Sequence, residues 1–148
     1  MLMNFLIREF ENKDIEAITI LNSDLGYPTD IETMNRIMTN IHLQPNTKTY
    51  VVEIENLVVG YIGLSSSFGW EHEDQFVRIQ ALSISKFHRR KGLGRSLVKK
   101  AEEWTKEIGA KFIILNSGNR EERESAHQFY PSLGFEPKSI GYKKFYEY

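Results

Sequence analysis

Apolar and polar positions change period several times along this chain, and each change marks an element. Phe5, Ile7 and Phe10 with interleaved polar residues predict an opening strand. Asn12 or Asp14 then caps a helix carrying Ile15, Ile18, Ile20 and Leu21. The stretch Asp24-Leu25-Gly26-Tyr27-Pro28 is a break, and Thr29 or Asp30 starts a second helix with Ile31, Met34, Ile37 and Met38 along one side. Residues 49–54 are β-rich. Glu55-Asn56 predicts a hairpin turn, without the glycine such turns favour, and 57–64 form the return strand. Residues 65–74 are polar apart from Phe68 and Trp70 and read as a loop or ragged hairpin end. A long strand follows over 75–84. The clearest helix covers 92–108, with Leu93, Leu97, Val98, Ala101, Trp104 and Ile108 at helical spacing and Lys and Glu on the other faces. Residues 111–115 predict a short apolar strand, 123–133 a helix stopped by Gly134, and 140–146 a last strand.

The order is β-α-α-β-β-β-α-β-α-β. Consecutive strands followed by β-α-β imply an α/β fold of the α+β mixed kind, a mixed sheet with helices on its faces. The chain has 148 residues and shows no repeat, low-complexity segment or linker, so one domain over 1–148 is expected. Hydrophobic residues make up 41%, enough for a core, which argues against disorder. The net charge of -1 argues against nucleic acid as a partner. The absence of cysteine removes disulfides, thiolate metal sites and a covalent cysteine intermediate. His88 and His127 lack ligand-like spacing, so no metal is expected. The N-terminus lacks a basic segment before its short apolar stretch, and no run approaches the roughly 18 apolar residues of a membrane span. A soluble, cytoplasmic protein is the expectation, without a membrane partner.

Chemistry concentrates in Leu82-Ser83-Ile84-Ser85-Lys86-Phe87-His88-Arg89-Arg90-Lys91-Gly92-Leu93-Gly94-Arg95-Ser96. An apolar strand leads through a basic, glycine-rich turn into an amphipathic helix. A helix N-terminus presents unpaired N–H groups and partial positive charge, and glycine lets the backbone approach a ligand closely. The combination suits a phosphate. A Walker A loop does not fit, because Gly94 is followed by Arg95 and no glycine stands five positions before it. A dinucleotide fingerprint fits poorly, because Leu97 occupies the third glycine position.

Arg89-x-x-Gly92-x-Gly94 instead resembles the pyrophosphate signature R/Q-x-x-G-x-G/A of the GNAT acetyltransferases. Farther on, Ala126-His127-Gln128-Phe129-Tyr130-Pro131-Ser132-Leu133-Gly134-Phe135 resembles that family's A-x-x-F-Y-x-x-x-G-F. The resemblance covers residues 51–146 best. It implies the acyl-CoA acyltransferase fold: a mostly antiparallel sheet of about six to seven strands flanked by four helices, with two central strands splayed around acetyl-CoA. Leu82, Ser83 and Ile84 would line the pantetheine arm through their backbone. Arg89, Arg90, Lys91, Gly92, Leu93, Gly94, Arg95 and Ser96 would hold the pyrophosphate. Asn116, Phe129 and Tyr130 would flank the arm, with Tyr130 as the acid for the departing thiolate.

The implied activity is transfer of an acetyl group from acetyl-CoA to a primary amine, most simply of a small molecule, by direct attack in a ternary complex. A protein N-terminus or lysine is the alternative acceptor, and a catalytically weak acyl-CoA sensor the alternative class. Many relatives carry a glutamate as base on the central strand. Here Arg78-Ile79-Gln80-Ala81-Leu82 has no carboxylate, and in the loop Glu71-His72-Glu73-Asp74 the foremost candidate is Glu73, acting through a water. Arg123 stands where many relatives have asparagine, with Asn119 nearby as a substitute. Asp24, Tyr27 and Glu32 in the first two helices and their connection would form the substrate wall, with Gln80 facing the amine; an acidic, aromatic wall suits a cation. The expected assembly is a monomer or homodimer.

Overall fold

The computed structural model describes residues 4–71, 73–116, 124–138 and 140–147, with 124–127 described by backbone alone. The chain divides into two compact units, Met1–Leu115 and Asn116–Tyr148. In the first, five strands form one sheet in chain order: β1 (Leu6–Glu9), β2 (Thr47–Ile54), β3 (Leu57–Phe68), β4 (Gln75–Ile84) and β5 (Phe112–Leu115). β1 to β4 are successively antiparallel, whereas β5 is parallel to β4. Parallel neighbours need a crossover, and α3 (Leu93–Glu107) supplies it. A 3₁₀ turn (Asn12–Asp14), α1 (Ile15–Asp24) and α2 (Ile31–His42) lie between β1 and β2.

Local chemistry sets several boundaries. The Asp30 carboxylate accepts the Thr33 N–H at 2.7 Å and starts α2. Glu55 and Asn56 take φ of 50° and 67°, the left-handed pair of a two-residue type I′ turn that needed no glycine. β3 runs past the predicted 57–64 to Phe68, with Ser65 opposite Arg78 and Phe68 opposite Gln75. A ladder bonds through backbone, so three consecutive serines extend it despite their polarity.

The two faces of the sheet are separately covered. Ile15, Ile18, Leu21, Met34 and Met38 of α1 and α2 pack with Val51 and Tyr61. Val52 and Ile62 alternate with these and are also fully buried, so they point the other way. That second face carries α3: Leu93, Leu97, Val98, Ala101 and Trp104 are buried, and the Lys100 ammonium lies 5.3 Å over the Tyr50 ring.

In the second unit, α4 (Glu124–Ser132) tolerates Pro131 in its last turn. Its end is made by Gly134 at φ 92° and by the Phe135 N–H, which donates to the Tyr130 carbonyl at 3.2 Å. Residues 140–146, predicted as a last strand, make no ladder among the described residues, so the sheet has five strands rather than six to seven. Ile140, Tyr142, Phe145 and Tyr146 are exposed. A periodic pattern supplies an apolar face but not the neighbouring strand that pairing requires.

One charged cluster ties β1 and β2 to the start of α1. The Arg8 guanidinium grips the buried Asp14 carboxylate at 2.8 and 2.9 Å and reaches Glu53 at 3.1 Å, while the Glu11 N–H donates to Asp14 at 2.8 Å. Burial alone raises the Asp14 carboxyl; the Arg8 bonds, the Glu11 N–H and attraction to Arg8 and Lys13 outweigh it and hold it below its ordinary value.

Asp14→Asn should cost about 1.5–3 kcal/mol in denaturant titrations at neutral pH, the range for hydrogen bonds to charged groups. Because the folded carboxyl titrates below the unfolded one, that stabilisation is complete above about pH 4 and is lost as pH falls through the folded value. The melting curves of the parent and of the Asp14→Asn variant should therefore converge on acidification. Gly60→Ala should cost about 1–3 kcal/mol by overpacking, because its Cβ would meet Ile84 Cδ1 at 2.6 Å and both Ser83 O and Val52 Cγ1 at 3.0 Å. A calorimetric melt checks it.

Candidate active site

The site begins with a defect in the sheet. Gly63 pairs with Ala81 and Leu64 with Ile79, so Gln80 is the extra residue of a β-bulge. β5 runs beside β4 from Phe76 opposite Phe112 to Ile79 opposite Leu115, and its pairing ends at that bulge. From Gln80 to Ile84, β4 has no partner on its β5 side among the described residues. Backbone N–H and C=O groups on that edge have no strand partner there among the described residues, the Ile84 carbonyl being taken by Arg89 Nε, and such groups suit another extended, amide-bearing chain. The bulge also resets side-chain direction. Leu82 pairs with Ile62 on the α3 face, while Ser83 pairs with Tyr61 on the α1 face.

The chain leaving β4 turns tightly. The Ser85 N–H donates to Val59 O at 2.7 Å, the Ser85 carbonyl accepts the His88 N–H at 2.9 Å, and Ser85 Oγ accepts the Phe87 N–H at 3.3 Å. Arg89 folds back, its Nε donating to Ile84 O at 3.2 Å. His88 turns Nδ1 inward, where it meets no hydrogen-bond partner among the described residues. Arg90 at φ 62° and Gly92 at φ 79° are both left-handed, and Gly92 takes that conformation without steric cost.

α3 starts directly after Gly92, whose carbonyl accepts from Ser96 N at 3.1 Å and Ser96 Oγ at 3.0 Å. No side chain caps this helix, whereas Asp30 caps α2. The first-turn N–H groups at Gly94 and Arg95 stay available at the positive end of the helix dipole. Lys86, Arg89, Arg90, Lys91 and Arg95 are all exposed around it. None of them pairs with a carboxylate among the described residues. Such a turn accommodates phosphate oxygens.

On the other face, the last turn of α1 is bonded to the same part of the sheet. Ser83 Oγ donates to Leu21 O at 3.1 Å, and the Tyr61 hydroxyl donates to Asn22 Oδ1. Burial pushes the Tyr61 phenol up to about 12, so it stays a donor. Asp24 ends this helix and the exposed Tyr27 follows it. Glu32 is exposed in the first turn of α2. Gln80 is exposed, its Nε2 donating to Ser65 Oγ at 3.0 Å.

Glu73 is an exposed residue two positions before Gln75, the first residue of β4. In the second unit, Tyr130 is half-buried between Phe129 and Phe135, with ring centroids 5.1 and 5.8 Å away in edge-to-face contact. Asn116 is the exposed residue after β5. His72, Asn119 and Arg123 lie outside the described residues. Among the described residues, no three His, Asp or Glu side chains gather as a metal site. No helix among them is long and apolar enough to cross a membrane.

Sequence reasoning missed Asn22 and Tyr61. Their signal was present: Asn22 occupies the position four after Ile18 on the apolar stripe of α1, and a polar residue there needs a partner.

Comparison with known proteins agrees with this geometry. The family model described as "Acetyltransferase (GNAT) family" matches residues 15–135. A GNAT family acetyltransferase from Staphylococcus aureus subsp. aureus USA300_TCH1516 is 28% identical with a TM-score of 0.82, covering 97% of this chain and 100% of that one. A transcriptional regulator from Bacillus halodurans C-125 is 22% identical with a TM-score of 0.87, covering 97% and 100%. Glucosamine-6-phosphate N-acetyltransferase from Arabidopsis thaliana is 20% identical with a TM-score of 0.80, covering 97% and 99%. At those lower identities the likeness is one of fold alone. No curated protein matches the chain. With the family model matched from α1 through Phe135 and the phosphate-type turn on the splayed edge of β4, the chain belongs to the GNAT family of acetyl-CoA-dependent acetyltransferases.

Proposed function

We propose that this acetyltransferase acylates the primary amine of a small cationic molecule. The observation that carries the reading is the open edge of β4 beyond Gln80, followed in the chain by the uncapped, cation-ringed start of α3, with the Leu21 carbonyl of α1 bonded to Ser83 on that strand. The backbone of Leu82 through Ile84 holds the pantetheine arm, and the Gly94 and Arg95 N–H groups with Arg89, Arg90, Lys91 and Arg95 hold the pyrophosphate. Acetyl-CoA supplies the activated thioester. Asp24, Tyr27 and Glu32 attract the ammonium, and Gln80 faces it at the bulge. As the amine nitrogen bonds to the carbonyl carbon and the C–S bond breaks, Tyr130 gives its hydroxyl proton to the sulfur. Glu73 takes the amine's proton through a water. The glucosamine-6-phosphate enzyme is named for a small amine, but the acceptor class rests on this chain's own acidic and aromatic wall.

A CoA-release assay across small polyamines, amino sugars and lysine peptides tests the reading; turnover confined to peptides would replace the small amine with a protein acceptor. Arg89→Ala and Arg95→Ala should each weaken acetyl-CoA binding by about ten- to a hundredfold, the equivalent of a charge-assisted bond. Calorimetry on folded variants checks this, and parent-like affinity in both would leave the basic turn merely solvated. Tyr130→Phe should lower turnover roughly 10²-fold with acetyl-CoA affinity little changed. Normal turnover beside a lowered melting temperature would make Tyr130 a packing residue and leave the sulfur's proton to water.

A further inference from the structure

Between the charged cluster at its start and its last turn, α1 meets the sheet through apolar side chains. Ile15, Ile18 and Leu21 meet Val51 and Tyr61. Then two side-chain hydrogen bonds follow in consecutive residues: Ser83 Oγ to Leu21 O, and Tyr61 hydroxyl to Asn22 Oδ1. Tyr61 and Ser83 are cross-strand partners on β3 and β4, so both bonds spring from one point of the sheet. That point lies between Leu82 and Ile84, on the part of β4 left unpaired by the bulge.

Asn22 has a second role through its backbone. Its carbonyl accepts the Tyr27 N–H at 2.9 Å, a bond that spans the turn after α1. Gly26 in this turn takes φ 103°, and the helix does not continue through it. Moving Asn22 therefore moves Tyr27. A buried phenol requires a hydrogen-bond partner, and Tyr61 is 6% exposed with its hydroxyl directed at Asn22.

We propose that the Tyr61–Asn22 hydrogen bond is the positioning device of the acceptor site: it locks the α1–α2 connection, with Asp24 and Tyr27, to the bulged strand that carries the acyl donor. Tyr61 and Asn22 are positioning residues that touch neither substrate. The inference rests on the reading that Asp24 and Tyr27 face the amine. It adds that amine affinity is set from inside the core, across the sheet from α3 and its basic turn. The donor's binding elements do not pass through this bond, so amine and acetyl-CoA affinities respond differently to its loss.

The test uses Tyr61→Phe and Asn22→Asp in the full chain, with Asn22→Ala as a second cut of the same bond should the Phe variant fold poorly. Tyr61→Phe should raise KM for the best amine about tenfold, with kcat and the acetyl-CoA Kd near parent values. Amide exchange at Tyr27 should quicken by a similar factor, while that at Ser85, bonded to Val59, stays unchanged. Asn22→Asp keeps an acceptor for the phenol and should restore the parent KM. A lowered melting temperature with unchanged KM and unchanged Tyr27 exchange would overturn the proposal and leave the bond purely structural. Faster Tyr27 exchange with unchanged KM would equally overturn its link to the amine. A parent that binds acetyl-CoA but turns over no small amine would defeat the acceptor reading instead, and Tyr27 exchange would then decide the locking by itself.

Discussion

A strand held on one side through its whole length and on the other through only half has a free edge where the second partner leaves. β4 is that strand. It pairs with β3 from Gln75 to Ile84 but with β5 only as far as Ile79. The extra residue Gln80 falls at the parting, and a bulge increases local twist, turning the following backbone away from its neighbour. Because the bulge also restores Leu82 and Ile84 to the α3 face, their side chains stay with the core and the strand offers its backbone at the edge. One residue more in β4 than in β3 makes that edge.

The rest of the site is arranged around that opening by uneven use of polar groups. α2 is closed at its start by Asp30, whereas α3 begins at a left-handed glycine with no side-chain cap. Leaving N–H groups uncommitted costs helix stability, and it is where the otherwise nearly neutral chain places its densest run of cations. Across the sheet the opposite policy holds: the buried hydroxyls of Ser83 and Tyr61 are committed to the end of α1.

Much of this was legible in order along the chain. The stripe from Leu93 to Trp104 specified α3, Asp30 was one of two starts read for α2, and the spacing of Arg89, Gly92 and Gly94 after an apolar strand marked a turn that the tertiary structure leaves uncapped and exposed. The Glu55-Asn56 hairpin was legible even without glycine, because the β-rich runs on either side left two residues to turn. Extension of β3 through Ser65 to Phe68 was not, since the ladder there is held by backbone and side-chain hydropathy carries no mark of it.

What the sequence by itself determined is which residues share a face, where helices begin and where charge gathers. All of these are properties of neighbours a few positions apart. Tertiary structure alone decided that Gln80 is a bulge, that β5 leaves β4 after Ile79 and that Asn22 answers Tyr61 across 39 positions of chain. It also left residues 140–146, read as a last strand, without a strand to pair with among the described residues. The physical reason is common to them. Periodicity records side-chain burial, which is local in sequence, whereas register and partner choice are made by backbone hydrogen bonds and single polar contacts between distant segments.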